Sequence, residues 1–289
     1  MGLVDFILNV AGLLLWLNWR SLHFDPLLQR TPATLAGTLR PAEPQRWRGW
    51  KLLAALVLLL GLRAALYWEV CSAVEWTPTL DLGVVALAFR SDSLSASLSF
   101  DATLLFSVLS FLRLTLVFYF WLLVLTLINR PTIDPDPIQK IIRQHIGPLA
   151  RWPWPVLLGL PFLASTLLWL ACYPGLTVLD VVNHTHSWLH VAEQGLLVGA
   201  GFYISLKYLL PTLLLAHLIT SYVYLGSGPL WDFITSTARN LLRPFRTFRY
   251  AGLDFAPVAG ILLILALCHW LPNLAIHRLL RSNFTLWPQ

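Results

Sequence analysis

"ATLLFSVLSFLRLTLVFYFWLLVLTLI", residues 102–128, runs for 27 residues and holds one charge, Arg113. A helix crosses a bilayer with roughly 17–25 apolar residues, so this stretch alone points to a membrane span. Five further apolar runs qualify or nearly do, at about 3–19, 51–68, 154–173, 196–225 and 254–276. The 289-residue chain is 57% hydrophobic and 12% charged, about half the charged share of a soluble domain. The fold class expected is all-α: a polytopic transmembrane helical protein with about six spans.

The net charge of +6 would suit nucleic acid if it were gathered on one soluble domain, but it is distributed between the spans. Residues 20–51 hold six basic residues (Arg20, Arg30, Arg40, Arg46, Arg48, Lys51). Residues 129–153 hold four (Arg130, Lys140, Arg143, Arg151), and 226–253 hold four more (Arg239, Arg243, Arg246, Arg249). The alternate segments are poor: 70–101 has only Arg90, and 174–195 has none. Basic loops stay cytoplasmic, which places both termini outside and excludes nucleic acid as a partner. The first run lacks a basic region before it, so it does not read as a cleaved signal peptide. A full span and a re-entrant or interfacial segment both remain open for it.

Residues 1–101 form one expected region: two helices, a basic loop and an acidic, Ser-rich outer segment, "RSDSLSASLSFD". Residues 102–195 and 196–289 read as two copies of another region. Each copy has a long apolar helix, a short amphipathic helix and a second apolar helix entered through proline. Pro148 matches Pro244 and Arg143 matches Arg239, both at an offset of 96. Pro155 matches Pro257 only after six inserted residues around "RYAGLD". An even number of spans separates the copies, so they run in the same direction, unlike the inverted repeats of many carriers.

The amphipathic helices are legible by period. Ile138, Ile141, Ile142, Ile146 and Leu149 recur at helical spacing, with Lys140, Arg143 and Gln144 on other faces. Leu230, Phe233, Ile234, Leu241 and Leu242 repeat this in the second copy. Such helices either lie in the headgroup plane with basic residues toward anionic lipid, or form folded elbows between spans. A partner-binding surface is a third reading.

The stretch "RPFRTFRYAGLDFAP", residues 243–257, resembles the YggT family of small bacterial and plastid membrane proteins. Pro244 and Arg246 match the family's Pro-x-Arg segment. Gly252, Asp254 and Pro257 match its Gly-x-Asp-x-x-Pro segment, with Ala256 where the family has Ser. Ser221 and Tyr222 fit another family segment in which His217 replaces an arginine. The family's Thr-Glu-Pro is not kept; Thr237, Ala238 and Arg239 stand nearest. The first copy keeps Pro148, Arg151 and Pro155 but lacks the Gly-Asp pair. The resemblance covers about residues 102–280. It implies a bacterial inner-membrane protein, non-enzymatic and without a cofactor, associated with envelope and division-site organisation, osmotic tolerance or complex assembly. The expected role is a scaffold, assembly factor or accessory subunit that contacts anionic lipid, other integral membrane proteins or its own copies. The alternative is a channel or small-solute transporter linked to osmotic balance, using Arg113, Lys207 and His217.

Three constellations carry candidate chemistry. His186, His190 and Glu193 fall on one helical face at i, i+4 and i+7, a spacing able to ligate a first-row metal. Ser187 stands where the zinc-protease pattern needs a glutamate, and interfacial histidines beside Trp188 are ordinary. Arg63, Arg113 and Lys207 lie inside apolar runs, where a charge is costly and usually faces protein or snorkels to an interface. Glu69, Asp101 and Glu193 are available as ion partners; an anion or lipid-headgroup site, or a transport path, is the other reading. Asp254 precedes the last span, where an acid favours the helix start. Cys71 and Cys172 sit at predicted outer helix ends, where a disulfide and two separate thiols both fit. No phosphate loop, serine-nucleophile elbow or dinucleotide fingerprint occurs, and no cysteine pair has ligand spacing.

Overall fold

The structure, a computed structural model, describes residues 2–24, 45–74, 77–84, 86–89, 99–130, 136–179, 181–182, 187–223, 228–243, 249–250 and 253–281. All six apolar runs are helical. They are α1 (Gly2–Phe24), α2 (Gln45–Val74), α3 (Phe100–Ile128), α5 (Trp154–Val178), the pair α6 (Trp188–Gly201) and α7 (Leu206–Tyr222), and α9 (Ala256–Arg281). Five stretches within them are long and apolar enough to cross a membrane: Gly2–Ser21, Gly49–Val70, Phe100–Ile128, Trp154–Val178 and Trp188–Tyr222. Ala256–Trp270 is a shorter apolar stretch in α9. The protein is an all-α chain of multi-pass character. The first run, for which a full span and an interfacial segment were both open, forms an unbroken 23-residue helix.

Two short elbow helices, α4 (Pro137–Ile146) and α8 (Pro229–Leu241), stand where the amphipathic period placed them. Each begins with proline at its first turn, where the missing N–H costs nothing. Gly147 ends α4 with φ of 65° and donates its N–H to the Arg143 carbonyl. That positive φ is a conformation glycine adopts without penalty. A 3₁₀ turn over Gly147–Arg151 follows.

The chain forms two compact units. One comprises residues 1–80 and 88–115; the other comprises 81–87 and 116–289. In the first, α1 packs on α2. A β-carbon on Gly12 would lie 3.0 Å from the Phe111 ring, so the small residue lets helices approach closely. Phe106 sits between Tyr67 and Phe89, with ring centroids 5.7 and 5.3 Å away.

In the second unit, α5 packs on α6, and α7 packs on both α8 and α9. Gly195 and Gly199 of α6 lie against Phe162, Thr166 and Trp169 in the middle of α5. A core of Leu122, Leu123, Leu125, Leu157, Leu213 and Leu214 receives both elbows. Ile142 and Ile146 of α4 and Phe233 and Ala238 of α8 are buried there. Part of each apolar elbow face therefore points into the protein itself, while Ile141 and Leu230 stay more than half exposed.

Three local features depart from the expected helical plan. The apolar run 196–225 is the later part of a longer helix beginning at Trp188, broken by a 3₁₀ turn over Phe202–Ser205. Two short strands, β1 (Thr79–Asp81) and β2 (Ala86–Ala88), pair with each other; a connection this short allows only a hairpin. The inserted "RYAGLD" forms a two-rung antiparallel ladder, β3 (Arg249–Tyr250) with β4 (Leu253–Asp254), in which Arg249 faces Asp254 in register.

Candidate functional site

The most concentrated buried polar chemistry in the first unit lies among three apolar helices. Arg63 of α2 is 1% exposed. Its guanidinium is ion-paired with Asp5 in the first turn of α1. It also donates to Asn9 Oδ1 at 2.7 Å. Tyr67 donates its hydroxyl to the same Asp5 oxygen at 2.7 Å. Asn9 Nδ2 donates to Asp5 Oδ2 at 3.2 Å and to Ser110 Oγ of α3 at 3.0 Å. The guanidinium carbon lies 5.4 Å from the Tyr67 ring centre and 5.8 Å from that of Phe106. Nearby, Ser107 Oγ donates to the Leu60 carbonyl at 2.9 Å. A carboxylate and a guanidinium thus neutralise each other inside apolar surroundings and tie α1, α2 and α3 together.

The partner of Arg63 is thus none of Glu69, Asp101 and Glu193, the acids expected to be available to the three intramembrane cations. Glu69 follows Arg63 by six residues, about 240° around the helix, so it occupies another face and is exposed. Asp5 and Asn9 fall at i and i+4 on one face of α1, and the packing of α1 on α2 brings that face to Arg63. The polar pair within an apolar run was the available sequence signal. Arg113 is half-buried on α3. Lys207 is half-buried in the first turn of α7, with Nζ 5.0 Å above the Tyr208 ring. The two belong to different compact units.

A second polar centre joins the elbows. Asn129, at the end of α3, is 1% exposed. Its backbone carbonyl accepts Gln139 Nε2 at 2.9 Å and an Arg143 guanidinium nitrogen at 3.4 Å, both from α4. Its side chain donates to Thr237 Oγ1 at 2.8 Å and accepts Asn240 Nδ2 at 3.1 Å, both from α8. Ser236 of α8 donates to Asp136, just before α4, at 3.0 Å. One asparagine therefore links the two copies of the elbow. Its counterpart at the 96-residue offset is Leu225, which has no side-chain amide to repeat the link to Thr237 and Asn240. An Asn at the end of an apolar run gives no periodic signal, so sequence reading passed over it.

The basic residues divide around that centre. Arg143 is half-buried, whereas Lys140, Arg239 and Arg243 are exposed. Pro244, Arg246 and Gly252 of the family-like motif lie outside the described residues. For Arg249 and Asp254 the backbone ladder is described; Pro257 is buried in the first turn of α9. Phe255 accepts the first helical bond of α9, from the Ala259 N–H at 3.0 Å. Asp254 thus stands one residue before the cap position, in β4.

His190 Nδ1 and Glu193 Oε2 are 3.0 Å apart at the start of α6, with His190 exposed and Glu193 half-buried. His186 lies outside the described residues. Among the described residues no group of three or more His, Cys, Asp or Glu side chains gathers to hold a metal. Cys172 and Cys268 are unbridged and half-buried; the side chain of Cys71 is outside those described. His217, placed where the family-like motif carries arginine, is buried on α7.

No protein-family model matches the chain, and no curated protein or solved structure matches it either.

Proposed function

We propose that the chain is a non-enzymatic, YggT-like scaffold or accessory subunit of a larger membrane complex. It would reside in the bacterial cytoplasmic membrane with both termini outside. Its paired elbows would form a rigid basic platform at the inner face, held by Asn129, for anionic headgroups or an acidic partner surface.

The observation carrying this reading is the division of the elbow faces. The apolar residues Ile142, Ile146, Phe233 and Ala238 are used up in the protein's own core. Lys140, Arg239 and Arg243 are left exposed. Juxtamembrane Lys and Arg gain roughly 1 kcal/mol each near an anionic leaflet, so three on one platform give a useful preference without a pocket. The resemblance of Pro244, Arg246, Gly252, Asp254 and Pro257 to the family segment adds to this reading.

The test is purification in gentle detergent followed by native mass spectrometry. Retained anionic lipid or a stoichiometric membrane partner is expected. Changing Lys140, Arg239 and Arg243 together to Gln should remove most of it. A lone monomer that keeps zwitterionic and anionic lipid equally would sink the reading.

A further inference from the structure

Lys207 is a cation that the fold places inside a span and leaves without a counter-charge. It stands in the apolar stretch Trp188–Tyr222, 19 residues after its start and 15 before its end. Its neighbours fix the depth. Ser205 accepts Trp121 Nε1 of α3 at 3.4 Å, and Trp121 lies seven residues before the end of that helix at Ile128. Tyr203 donates its hydroxyl to the Leu158 carbonyl of α5. Cys268, twelve residues past the start of α9, lies close enough to Lys207 to feel its charge. A lysine stem snorkels over about one helical turn, less than the distance to either end of the span. A charge at such depth is costly and is normally met by protein or by water. Among the described residues no carboxylate pairs with Lys207. Its Nζ rests 5.0 Å from the centre of the Tyr208 ring, which offers a negative face but no counter-charge.

The ammonium flanks an open face of α7. Tyr208 is 59% exposed. With Thr212, Leu215, Ile219 and Tyr222 it forms an exposed stripe that repeats at four, three, four and three residues. The other side of α7 is already occupied, because Leu213, Leu214 and His217 are buried. An alternating spacing of three and four is the seam along which two membrane helices pack at a shallow left-handed angle. Pro211 adds a second polar group at the same level. It has no N–H to give the Lys207 carbonyl, which therefore lacks its helical donor. Acyl chains can answer neither the charge nor that carbonyl.

We infer that this seam of α7 receives a transmembrane helix of a partner protein, and that the partner carries a carboxylate at mid-span that pairs with Lys207. Excluding water on assembly strengthens the attraction, and separating the helices would strand each charge in lipid. The inference rests on the accessory-subunit reading in requiring a membrane partner, but it uses none of the elbow residues.

Förster transfer between the full chain and two model peptides in phosphatidylcholine vesicles tests it. Each peptide is a labelled leucine–alanine transmembrane helix, one with Glu and the other with Gln at its centre. The donor sits at Leu163→Cys, a position 59% exposed on α5, with Cys71, Cys172 and Cys268 changed to Ser. The Glu peptide should bind several-fold more tightly than the Gln peptide. Lys207→Gln should bring the two to parity, and Lys207→Arg should keep the preference. Leu215→Trp should weaken both peptides by crowding the seam. These vesicles hold no anionic lipid, so changing Lys140, Arg239 and Arg243 together to Gln should leave the result unaltered even if the elbow platform has no role. Equal binding of the two peptides with Lys207 present, or a Glu preference that survives Lys207→Gln, would overturn the proposal. A preference abolished by adding phosphatidylglycerol would assign Lys207 to a headgroup phosphate instead. Unchanged binding in Leu215→Trp would remove the seam as the docking face. In detergent, Lys207→Gln should melt no lower than the native chain, since no carboxylate loses its partner. A marked drop would reveal a counter-charge within the chain and overturn the proposal as well.

Discussion

Arg63 and Asn129 are buried to the same degree but differ in what their neighbours lose when they are cut. Removing Arg63 leaves Asp5 charged among apolar helices, and breaking such a pair costs about 3–5 kcal/mol. The Asp5 side chain keeps 24% exposure, which favours the lower end. Arg63→Ala is therefore expected to destabilise the protein by about 3 kcal/mol in denaturant or thermal unfolding in detergent. Arg63→Met combined with Asp5→Leu should recover most of that, because it removes both charges together. A double variant no better than the single one would mean that the ion pair itself, and not the orphaned carboxylate, carries the stability. Asn129→Ala should cost about 1–3 kcal/mol. It removes the acceptor of Asn240 Nδ2 and the donor to Thr237 Oγ1, while Thr237 keeps its bond to the Phe233 carbonyl and the backbone carbonyl that receives Gln139 and Arg143 survives. The same unfolding measurement decides this, and a loss within error would show the elbow link to be idle.

Helix packing in a bilayer has little hydrophobic drive and relies on close approach and van der Waals contact. Gly199 is the sharpest instance, since a β-carbon there would lie 2.6 Å from Thr166 Oγ1 and 3.0 Å from the Phe162 carbonyl oxygen. Gly199→Ala is expected to lower stability by about 1–3 kcal/mol through overpacking of α5 on α6. Gly159→Ala is the matched control, because nothing lies within 4 Å of its added β-carbon. Alanine there should be neutral or stabilising by up to about 1 kcal/mol, since it forms helix better than glycine. Melting temperatures of the two variants side by side separate packing from propensity. The elbows follow a different rule. Ile142, Ile146, Phe233 and Ala238 pack with Leu122, Leu125 and Leu213, so exposure of the basic residues is a consequence of folding as well as of composition.

For the molecule as a whole, the alternation of basic and charge-poor loops predicts an orientation with both termini outside. Reporter fusions at each end check it: a periplasm-active reporter should be active at both termini, and a cytoplasm-dependent one silent. Signals of opposite kind at the two ends would mean an odd number of crossings, and α1, with Asp5 near its start, would be the first helix to question. The packing of α1 on α2 bears on this, because Asp5 gains its partner only when both helices lie side by side.

Spans, elbows and loops were legible in the sequence because each depends on local quantities. Apolar length fixes a span, a 3.6-residue period fixes an elbow, and proline or glycine fixes its ends. Thus 102–128 reads as a helix without reference to anything else, and Ile142 and Ile146 already share a face before their partner is known. Partner choice was not legible. Glu69 is near Arg63 in sequence, yet Asp5, 58 residues away, takes the charge, because helix packing and not chain distance sets which polar faces meet. Asn129 gained its role the same way, from Thr237 more than a hundred residues on. The family-like motif could be read in sequence, but most of it lies outside the described residues. The break after Gly201 needed the tertiary structure most. A glycine inside an apolar run is compatible with an unbroken helix until a second backbone, that of Gly83, is found against it.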